Sequence, residues 1–445
     1  MQQTSFDEQS LRTAWGLGLE ADSMLEPTRD KGLQRLQAFM PNAGRAYQTH
    51  RNSDFGAGKH THVSMLSPYL RHRMIDETEV LESVLQHHSP NDAFKFIQEV
   101  FWRSYWKGWL EHRSLLWPEY QRQLPICLQQ VQEGKHSNNS YQRAVAGQTD
   151  IPLFNDWCAE LEQTGYLHNH ARMWFASIWI FTLRLPWELG ADYFVRHLID
   201  GDPASNTLGW RWVAGLHTAG KTYLATPKNI RTCAELRLGA STDQQLGLNR
   251  LATSTFNLPE RLSEQARQKT PITWPAPARG VPSSAPGKRG RSALLLTEED
   301  LTWRPAQTPV ACVALSPSPR SVLAPSSTLV REFVDAALSD ALQRQHHGWN
   351  GTMPRVAPKA LDETELIDWL VEQGIDEVIC AYQPMGPARL RTEGLREPLA
   401  AKGISLQLQI RDYDRLVWPH ASKGFFQLGK RIPEFLDVMD LAHGA

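Results

Sequence analysis

Residues 200–212 hold the densest group of side chains able to do chemistry in this chain. They read DGDPASNTLGWRW, which places two carboxylates, an amide and two tryptophans in one short stretch. Their apolar neighbours Leu198, Ile199 and Val213 indicate burial. A buried carboxylate or amide must find a hydrogen-bond partner, because an unpaired polar group costs about 1–3 kcal/mol. A flat polar ligand such as a flavin would supply such partners.

Three segments upstream also combine polar and aromatic residues in short patterns. They read SMLSPYL at 64–70, EVFWR at 99–103 and LHNHARM at 167–173. Together with residues 200–212 they resemble four motifs of the DNA photolyase and cryptochrome family, in that family's order: S-x-L-S-P-x-L, E-L-x-W-R, M-H-N-R-x-R-M and D-G-D-x-A-x-N-x-x-G-W-x-W. The resemblance covers residues 47–212 and implies a flavoprotein that binds FAD.

The resemblance also implies which residues would hold the flavin. Asn206 would face flavin N5, a position that is Asn in photolyases and tends to be Asp in plant-type cryptochromes. Asp202 would lie near the ring and ribose, and Arg172 would pair with Asp200, because either charge buried alone is costly. The other positions implied for the cofactor are Tyr47, Ser64, Leu66, Ser67, Arg103 and Asn169. Val63 departs from the pattern, since many members have Thr there.

A tryptophan chain for electron transfer is implied in part. Trp210 matches the family's flavin-proximal member, and Trp187, 23 residues earlier, matches the middle one. The third, surface member would fall near Gly134 and is missing. The alternatives for an exit are Trp157, Trp174 and Trp179.

For a substrate, the resemblance points to a flipped pyrimidine dimer. Glu99 and Trp102 match the residues that hydrogen-bond and stack on it. The other matched lining residues are Arg51, His170, Met173 and Trp212. His170 stands where dimer photolyases usually carry Arg, and an ordinary histidine pKa of about 6.5 leaves it mostly neutral at pH 7. Residues 217–223 replace the family's aromatic rim segment.

The implied activity is that of a deoxyribodipyrimidine photolyase-type lyase, driven by blue light and acting on UV-damaged single- or double-stranded DNA. The residues implied as catalytic are Glu99, Trp102, Asn206, Trp210 and Trp187. The alternative is a cryptochrome-like photoreceptor without repair activity. A net charge of −1, His170 and the altered rim favour the photoreceptor, because tight DNA binding usually needs a basic surface. Asn206, Glu99, Trp102 and Met173 favour repair.

The elements that must position these residues change character along the chain. Apolar spacings of three and four predict helices at 94–111, 156–164, 171–185 and 192–199. After a Pro- and Gly-rich stretch, short apolar strands at 293–296, 310–315, 377–381 and 406–410 alternate with helices at 327–345, 363–373 and 392–402. The pattern predicts an all-α FAD-binding domain at 1–267, a linker at 268–292 and a parallel α/β, Rossmann-like domain at 293–445.

This order is reversed relative to the photolyase family, which places an α/β antenna domain first. Residues 411–419, RDYDRLVWP, are similar to the D-x-x-L-x-x-P ending of that antenna domain. Whether a folate- or deazaflavin-type antenna pigment binds stays open.

Composition excludes several other classes. No apolar run approaches the roughly 18 residues of a membrane span, and residues 1–7 lack a signal-peptide pattern. We therefore expect a cytoplasmic protein, and a monomer. The five cysteines form no C-x-x-C pair, so no metal site or disulfide framework is predicted. The α/β part also lacks the simple glycine-rich nucleotide fingerprints.

Overall fold

The computed structural model describes residues 25–134, 137–218, 220–259, 262, 264, 267–275, 290–347 and 353–441. Up to residue 246 its regular elements are helices. They are α1 Arg29–Phe39, α2 Arg45–His50, α3 Ser67–Arg71, α4 Glu77–Leu85, α5 Phe94–Glu111, α6 Leu116–Gln132, α7 Asn138–Val145, α8 Pro152–Thr164, α9 Asn169–Ser177, α10 Trp187–His197, α11 Pro203–Val213, α12 Pro227–Cys233, α13 Glu235–Leu238 and α14 Asp243–Leu246.

Residues 290–441 form an α/β layer structure. Its strands are β1 Ser292–Leu296, β2 Ala311–Ala314, β3 Arg355–Val356, β4 Glu377–Ala381 and β5 Ser405–Gln409. Its helices are α15 Thr328–Gln345, α16 Glu363–Glu372, α17 Pro387–Gly394, α18 Arg396–Ala401, α19 Asp412–Val417, α20 Phe425–Gly429 and α21 Ile432–Val438. All strand pairs are parallel, in the order β3-β2-β1-β4-β5.

Local sequence explains the helix boundaries nearest the motifs. Asp202 caps α11 by accepting the Ser205 N–H at 2.7 Å, and Pro203 supplies the first turn. His168 caps α9 by accepting the His170 N–H at 3.2 Å. The helix α8 ends at Gly165, whose φ of 65° is the left-handed conformation that glycine adopts without strain. These three boundaries place motif residues on the first turns of α9 and α11.

The carboxyl edge of the sheet faces the helical region. The segment after β1 carries Glu299, which binds Arg71 through two hydrogen bonds of 2.6 and 2.7 Å. The residue after β4 is Tyr382, whose hydroxyl donates a hydrogen bond to Glu111 at 2.7 Å. One apolar cluster contains core residues of both regions, Leu294 among them. The α/β layer is therefore packed directly on the helices that carry the motifs.

The fold class predicted from the sequence is confirmed: a helical region precedes a five-stranded parallel sheet with helices between its strands. Several boundaries differ. The helix expected at 192–199 already begins at Trp187, and the one expected at 392–402 is two helices with a break near Leu395. The helix expected at 171–185 changes after Ser177 into a π-helical turn, Ile178–Thr182. Of the predicted linker, residues 276–289 lie outside the described residues.

Candidate functional site

One cavity of 660 Å³ opens between α5, α9, α11 and the segment before α3. All predicted site residues except Trp187 line it. They are Tyr47, Arg51, Ser64, Leu66, Ser67, Glu99, Trp102, Arg103, Asn169, His170, Arg172, Met173, Asp200, Asp202, Asn206, Trp210 and Trp212. The volume lies within the range typical of small-molecule and cofactor sites, roughly 300–1,000 Å³. The structure therefore brings the four motifs to one place.

Asp202 dominates the polar end of this cavity. Its carboxylate lies 3.5 Å from Lys107, 3.9 Å from Arg71 and 4.0 Å from Arg103. Burial opposes ionisation of Asp202, but attraction to Lys107, Arg71 and Arg103 outweighs it and holds the pKa well below its usual range. Asp202 is thus a buried, permanently ionised carboxylate.

A second buried pair lies beside it. Arg172 donates to Asp200 at 2.9 Å and to the Leu167 carbonyl at 2.8 Å. Burial would raise the pKa of Asp200, yet the Arg172 guanidinium lowers it overall. Because Arg172 is tied to both groups, its planar guanidinium is fixed in orientation at the cavity wall.

Three polar atoms at this end find no hydrogen-bond partner among the described residues: Arg103 Nη1, Asp200 Oδ1 and Asp202 Oδ2. Each belongs to a residue that lines the cavity. Buried polar atoms are normally hydrogen-bonded, so these atoms indicate a missing partner that carries both donors and acceptors. A flavin dinucleotide has both, and the residues present fit it.

The backbone at this end is also strained. Met65 lines the cavity with a φ of 51°, a left-handed conformation that is uncommon for a non-glycine residue. Such conformations persist where the surrounding structure holds them, and they concentrate at binding sites.

Asn206 is oriented by the neighbouring helix. Its Nδ2 donates to the Ala191 carbonyl of α10 at 2.8 Å. The side-chain carbonyl oxygen is therefore left to accept a hydrogen bond from an N–H or O–H group of a ligand.

The other end of the cavity is aromatic. Trp102 lines it, and the ring of Phe425 stacks on Trp102 with centroids 3.7 Å apart and planes 10° from parallel. Phe425 is buried but does not line the cavity, so it supports Trp102 from behind. Phe425 comes from α20 and belongs to no motif. Sequence reasoning missed it, because nothing in the pattern around residue 425 points to residue 102.

Glu99 is not free in this structure. Arg51 donates a hydrogen bond to its carboxylate. Burial raises the pKa of Glu99 although the Arg51 charge opposes the shift. Two residues predicted to contact a substrate therefore contact each other.

His170 also lines this end, on the first turn of α9. Burial, reinforced by the charge of Arg51, lowers its pKa to about 4. The ring is neutral at pH 7 and offers a phosphate no positive charge.

The predicted electron-transfer tryptophans are not in ring contact with each other. Trp210 lies against Phe194, Trp179 and Phe175, with centroids 5.1, 6.2 and 6.4 Å apart. Trp187 lies off the cavity and stacks on Tyr120 at 5.7 Å.

Over the parts of the chain that the structure describes, every helix is too short or too polar to cross a bilayer. In the same residues, no group of three or more His, Cys, Asp or Glu side chains is arranged to hold a metal ion.

Comparison with known proteins gives a consistent result. Residues 96–246 match the model of the FAD binding domain of DNA photolyase. The chain is 31% identical over 192 residues to a deoxyribodipyrimidine photo-lyase of Agrobacterium fabrum, covering 42% of this chain and 38% of that protein. It is 29% identical over 213 residues to a deoxyribodipyrimidine photo-lyase of a Synechococcus strain, covering 46% and 42%. The chain thus spans less than half the length of the curated relatives it matches.

Among solved structures, a bacterial class III photolyase from Agrobacterium tumefaciens aligns with a TM-score of 0.39 at 22% identity, covering 57% of this chain and 59% of that chain. This likeness is too weak to add to the family match.

Proposed function

This chain belongs to the DNA photolyase and cryptochrome family, and we propose from that premise that it is a blue-light-driven photolyase that splits cyclobutane pyrimidine dimers in DNA. When bound, reduced FAD supplies the photoexcited electron for this reaction. The observation that carries the proposal is a single cavity that joins buried ion-paired residues with unbonded polar atoms at one end to Glu99 and Trp102 at the other.

The polar end would hold the cofactor. Asp200, Asp202 and Arg103 line this end, and each has a buried polar atom without a hydrogen-bond partner among the described residues. The free carbonyl oxygen of Asn206 would accept a hydrogen bond from the N5–H group of the reduced flavin, since its amide nitrogen already donates to the Ala191 carbonyl. The helical domain would extend over residues 1–267, followed by a linker at 268–292 and the α/β domain at 293–445.

The aromatic end would receive the lesion. Extruding a damaged base costs a few kcal/mol, and stacking on an aromatic ring recovers about 1–3 kcal/mol per base. Trp102 provides that ring, held by Phe425. Glu99 would exchange its bond to Arg51 for one to the pyrimidine. The raised pKa of Glu99 makes the protonated form more accessible, and only that form can donate to a pyrimidine carbonyl.

A cryptochrome-like photoreceptor is the second candidate. The observation that favours it is His170, which is neutral where dimer photolyases carry a permanently charged Arg. A net charge of −1 points the same way, because it provides no general attraction for DNA. Both candidates require FAD, and they differ in whether dimers are split.

The cofactor is tested first. The purified full chain should carry non-covalent FAD, visible in its absorption spectrum, or take it up when FAD is added. A protein that stays colourless after reconstitution would contradict both candidates.

Repair is tested with the fully reduced, flavin-replete protein under blue light. Dimers should be lost from defined single- and double-stranded oligonucleotides in light and not in the dark. Glu99→Ala should lower the repair yield and keep flavin content, whereas Glu119→Ala, in the first turn of α6 and away from the cavity lining, should leave both unchanged. Absence of repair on either substrate would favour the photoreceptor.

A further inference from the structure

We infer that electrons reach Trp210 through Trp179 and Tyr193, with Glu162 accepting the phenol proton of Tyr193, and not through Trp187. This inference rests on the proposed function, since it needs a photoexcited flavin as the electron acceptor in the cavity. In this route Trp179 takes the place of the family's middle tryptophan, and Tyr193 takes the place of the outer tryptophan that this chain lacks.

The first step is supported by direct contact. The rings of Trp210 and Trp179 lie 6.2 Å apart, nearly perpendicular. They meet at Gly190, where an added Cβ would lie 2.3 Å from Trp210 and 3.0 Å from Trp179. Glycine at this position therefore allows the two indoles to approach, and both rings are buried. Trp179 lies in the π-helical turn Ile178–Thr182, a feature that is frequent at functional sites.

Electrostatics also favours Trp179 as the electron donor to Trp210. The Trp179 indole N–H donates to the Pro186 carbonyl at 2.8 Å, which stabilises the positive charge left when the ring loses an electron.

A fixed charge disfavours the other route. The guanidinium carbon of Arg211 lies 5.6 Å from the ring centroid of Trp187. Burial lowers the pKa of Arg211 to about 10, so it stays charged at pH 7 and repels a radical cation on that indole. Glu188 gives only partial compensation, because burial raises its pKa to about 7.

The chain of donors then ends at a tyrosine with a proton acceptor. Tyr193 stacks on Trp179 with centroids 6.3 Å apart and planes 19° from parallel. Its hydroxyl donates to Glu162 Oε1 at 2.9 Å, and Glu162 is exposed. The ring centroid of Tyr141 also lies 6.1 Å from that of Trp179, with the planes at a right angle. Within the described parts of the chain, however, no carboxylate accepts a hydrogen bond from the Tyr141 hydroxyl.

The steps balance as follows. Trp210 loses one electron to the photoexcited flavin and regains one from Trp179. Tyr193 returns one electron to Trp179 and gives its phenol proton to Glu162, which leaves a neutral tyrosyl radical. An external thiol then gives one electron to Tyr193 and its own proton to water, while Glu162 returns the phenol proton.

The test uses the flavin-loaded full chain, illuminated without external reductant and trapped for electron paramagnetic resonance. The wild-type protein should give a neutral tyrosyl signal. Tyr193→Phe should lose that signal, and Tyr141→Phe should keep it. A signal that depends on Tyr141, or one that is wholly tryptophanyl, would overturn the assigned terminus.

The route is tested by photoreduction rates with added thiol. Trp179→Phe should slow photoreduction about tenfold or more, which corresponds to at least about 1.4 kcal/mol in the barrier. Trp187→Phe should change it less than about twofold. Slow photoreduction in Trp187→Phe with a normal rate in Trp179→Phe would overturn the inference.

Glu162→Gln should not disturb folding, because the side chain is exposed and keeps an oxygen that can accept the Tyr193 hydrogen bond. Unlike the carboxylate, the amide cannot take up the phenol proton. The tyrosyl radical should then form more slowly and lose its deuterium isotope effect. Unchanged kinetics would contradict the role of Glu162. A wild-type protein that binds no flavin, or is not photoreduced at all, would instead contradict the proposed function.

Discussion

The two ends of the cavity are built from different interactions. The polar end centres on a fully buried ion pair, Asp202 and Lys107, whose side chains are each 1% exposed. The aromatic end consists of stacked rings and a half-exposed pair, Arg51 and Glu99, whose side chains are 29% and 36% exposed. Buried pairs hold their geometry because separating them leaves a charge without compensation. Exposed pairs exchange partners at little cost.

The difference matches the two roles proposed. A cofactor that stays bound suits a rigid wall with unpaired buried atoms. A lesion that binds and leaves suits a surface whose polar contact can be exchanged. The α/β layer contributes to both ends in these two ways, through Glu299 bonded to Arg71 beneath the polar end and through Phe425 stacked on Trp102.

The largest effect is expected at the polar end. Asp202→Ala should lower the free energy of unfolding of the flavin-free protein by about 3–5 kcal/mol, because it leaves Lys107, Arg71 and Arg103 without their shared counter-charge. Urea denaturation measures this loss, and flavin uptake should be lost as well. Asp92→Ala, which breaks an exposed pair with Arg45, is the control and should leave stability unchanged. Equal losses in both variants would remove the distinction between buried and exposed pairs.

As the pH is lowered, the stability contributed by the aromatic end should be lost before the stability contributed by the polar end. Burial lowers the pKa of His170 and of His217 to about 4. The unfolded chain binds these protons near pH 6.5, so the stability from each ring is complete above that pH and falls by about 1.4 kcal/mol per pH unit down to pH 4. Asp202, whose folded pKa is lowered, contributes stability above the ordinary carboxyl range and loses it only at lower pH.

Urea midpoints between pH 7 and pH 4 measure this order. His170→Gln should flatten the slope between pH 6.5 and pH 4, whereas His347→Gln, at an exposed position, should not. An identical slope in wild type and His170→Gln would show that another group titrates in this window.

Binding of the lesion should depend on both rings of the stacked pair, Trp102 and Phe425, and more strongly on Trp102. Trp102→Ala should weaken binding of a dimer-containing oligonucleotide by about 1–3 kcal/mol through the lost stacking surface. Phe425→Leu keeps apolar volume behind Trp102 and should cost about 0.5–1.5 kcal/mol, the value of an aromatic pair. Fluorescence anisotropy measures both affinities. If Phe425→Leu tightened binding, Phe425 would obstruct the site and not support it.

The smallest effect is expected from replacing Val63 by the Thr that many family members have at this position, which adds one hydroxyl group to the cavity wall. Val63 lines the cavity where many members have Thr. Val63→Thr keeps the branched shape and should tighten FAD binding by about 0.5–1.5 kcal/mol, the net value of one hydrogen bond. Equilibrium dialysis of FAD measures this gain, and Val63→Ala is the control that adds no hydroxyl. No gain would mean that the cofactor does not approach this part of the wall.

The sequence by itself identified the residues that line the cavity, through the resemblance of four short motifs to those of the photolyase and cryptochrome family. The alternation of strands and helices after residue 290 likewise required a parallel sheet. The strand–helix alternation follows from backbone periodicity, which acts over a few residues and is therefore visible in a single sequence, whereas the lining residues were visible only through the motif resemblance.

Only the tertiary structure decided which partners those residues have. Arg51 pairs with Glu99, Phe425 supports Trp102, and Trp179, not Trp187, contacts Trp210. Each of these contacts joins elements that are distant along the chain, and it depends on how helices and sheet pack as whole layers. Periodicity tells which face of a helix is buried, but the neighbour that covers that face is set by the packing of the complete core.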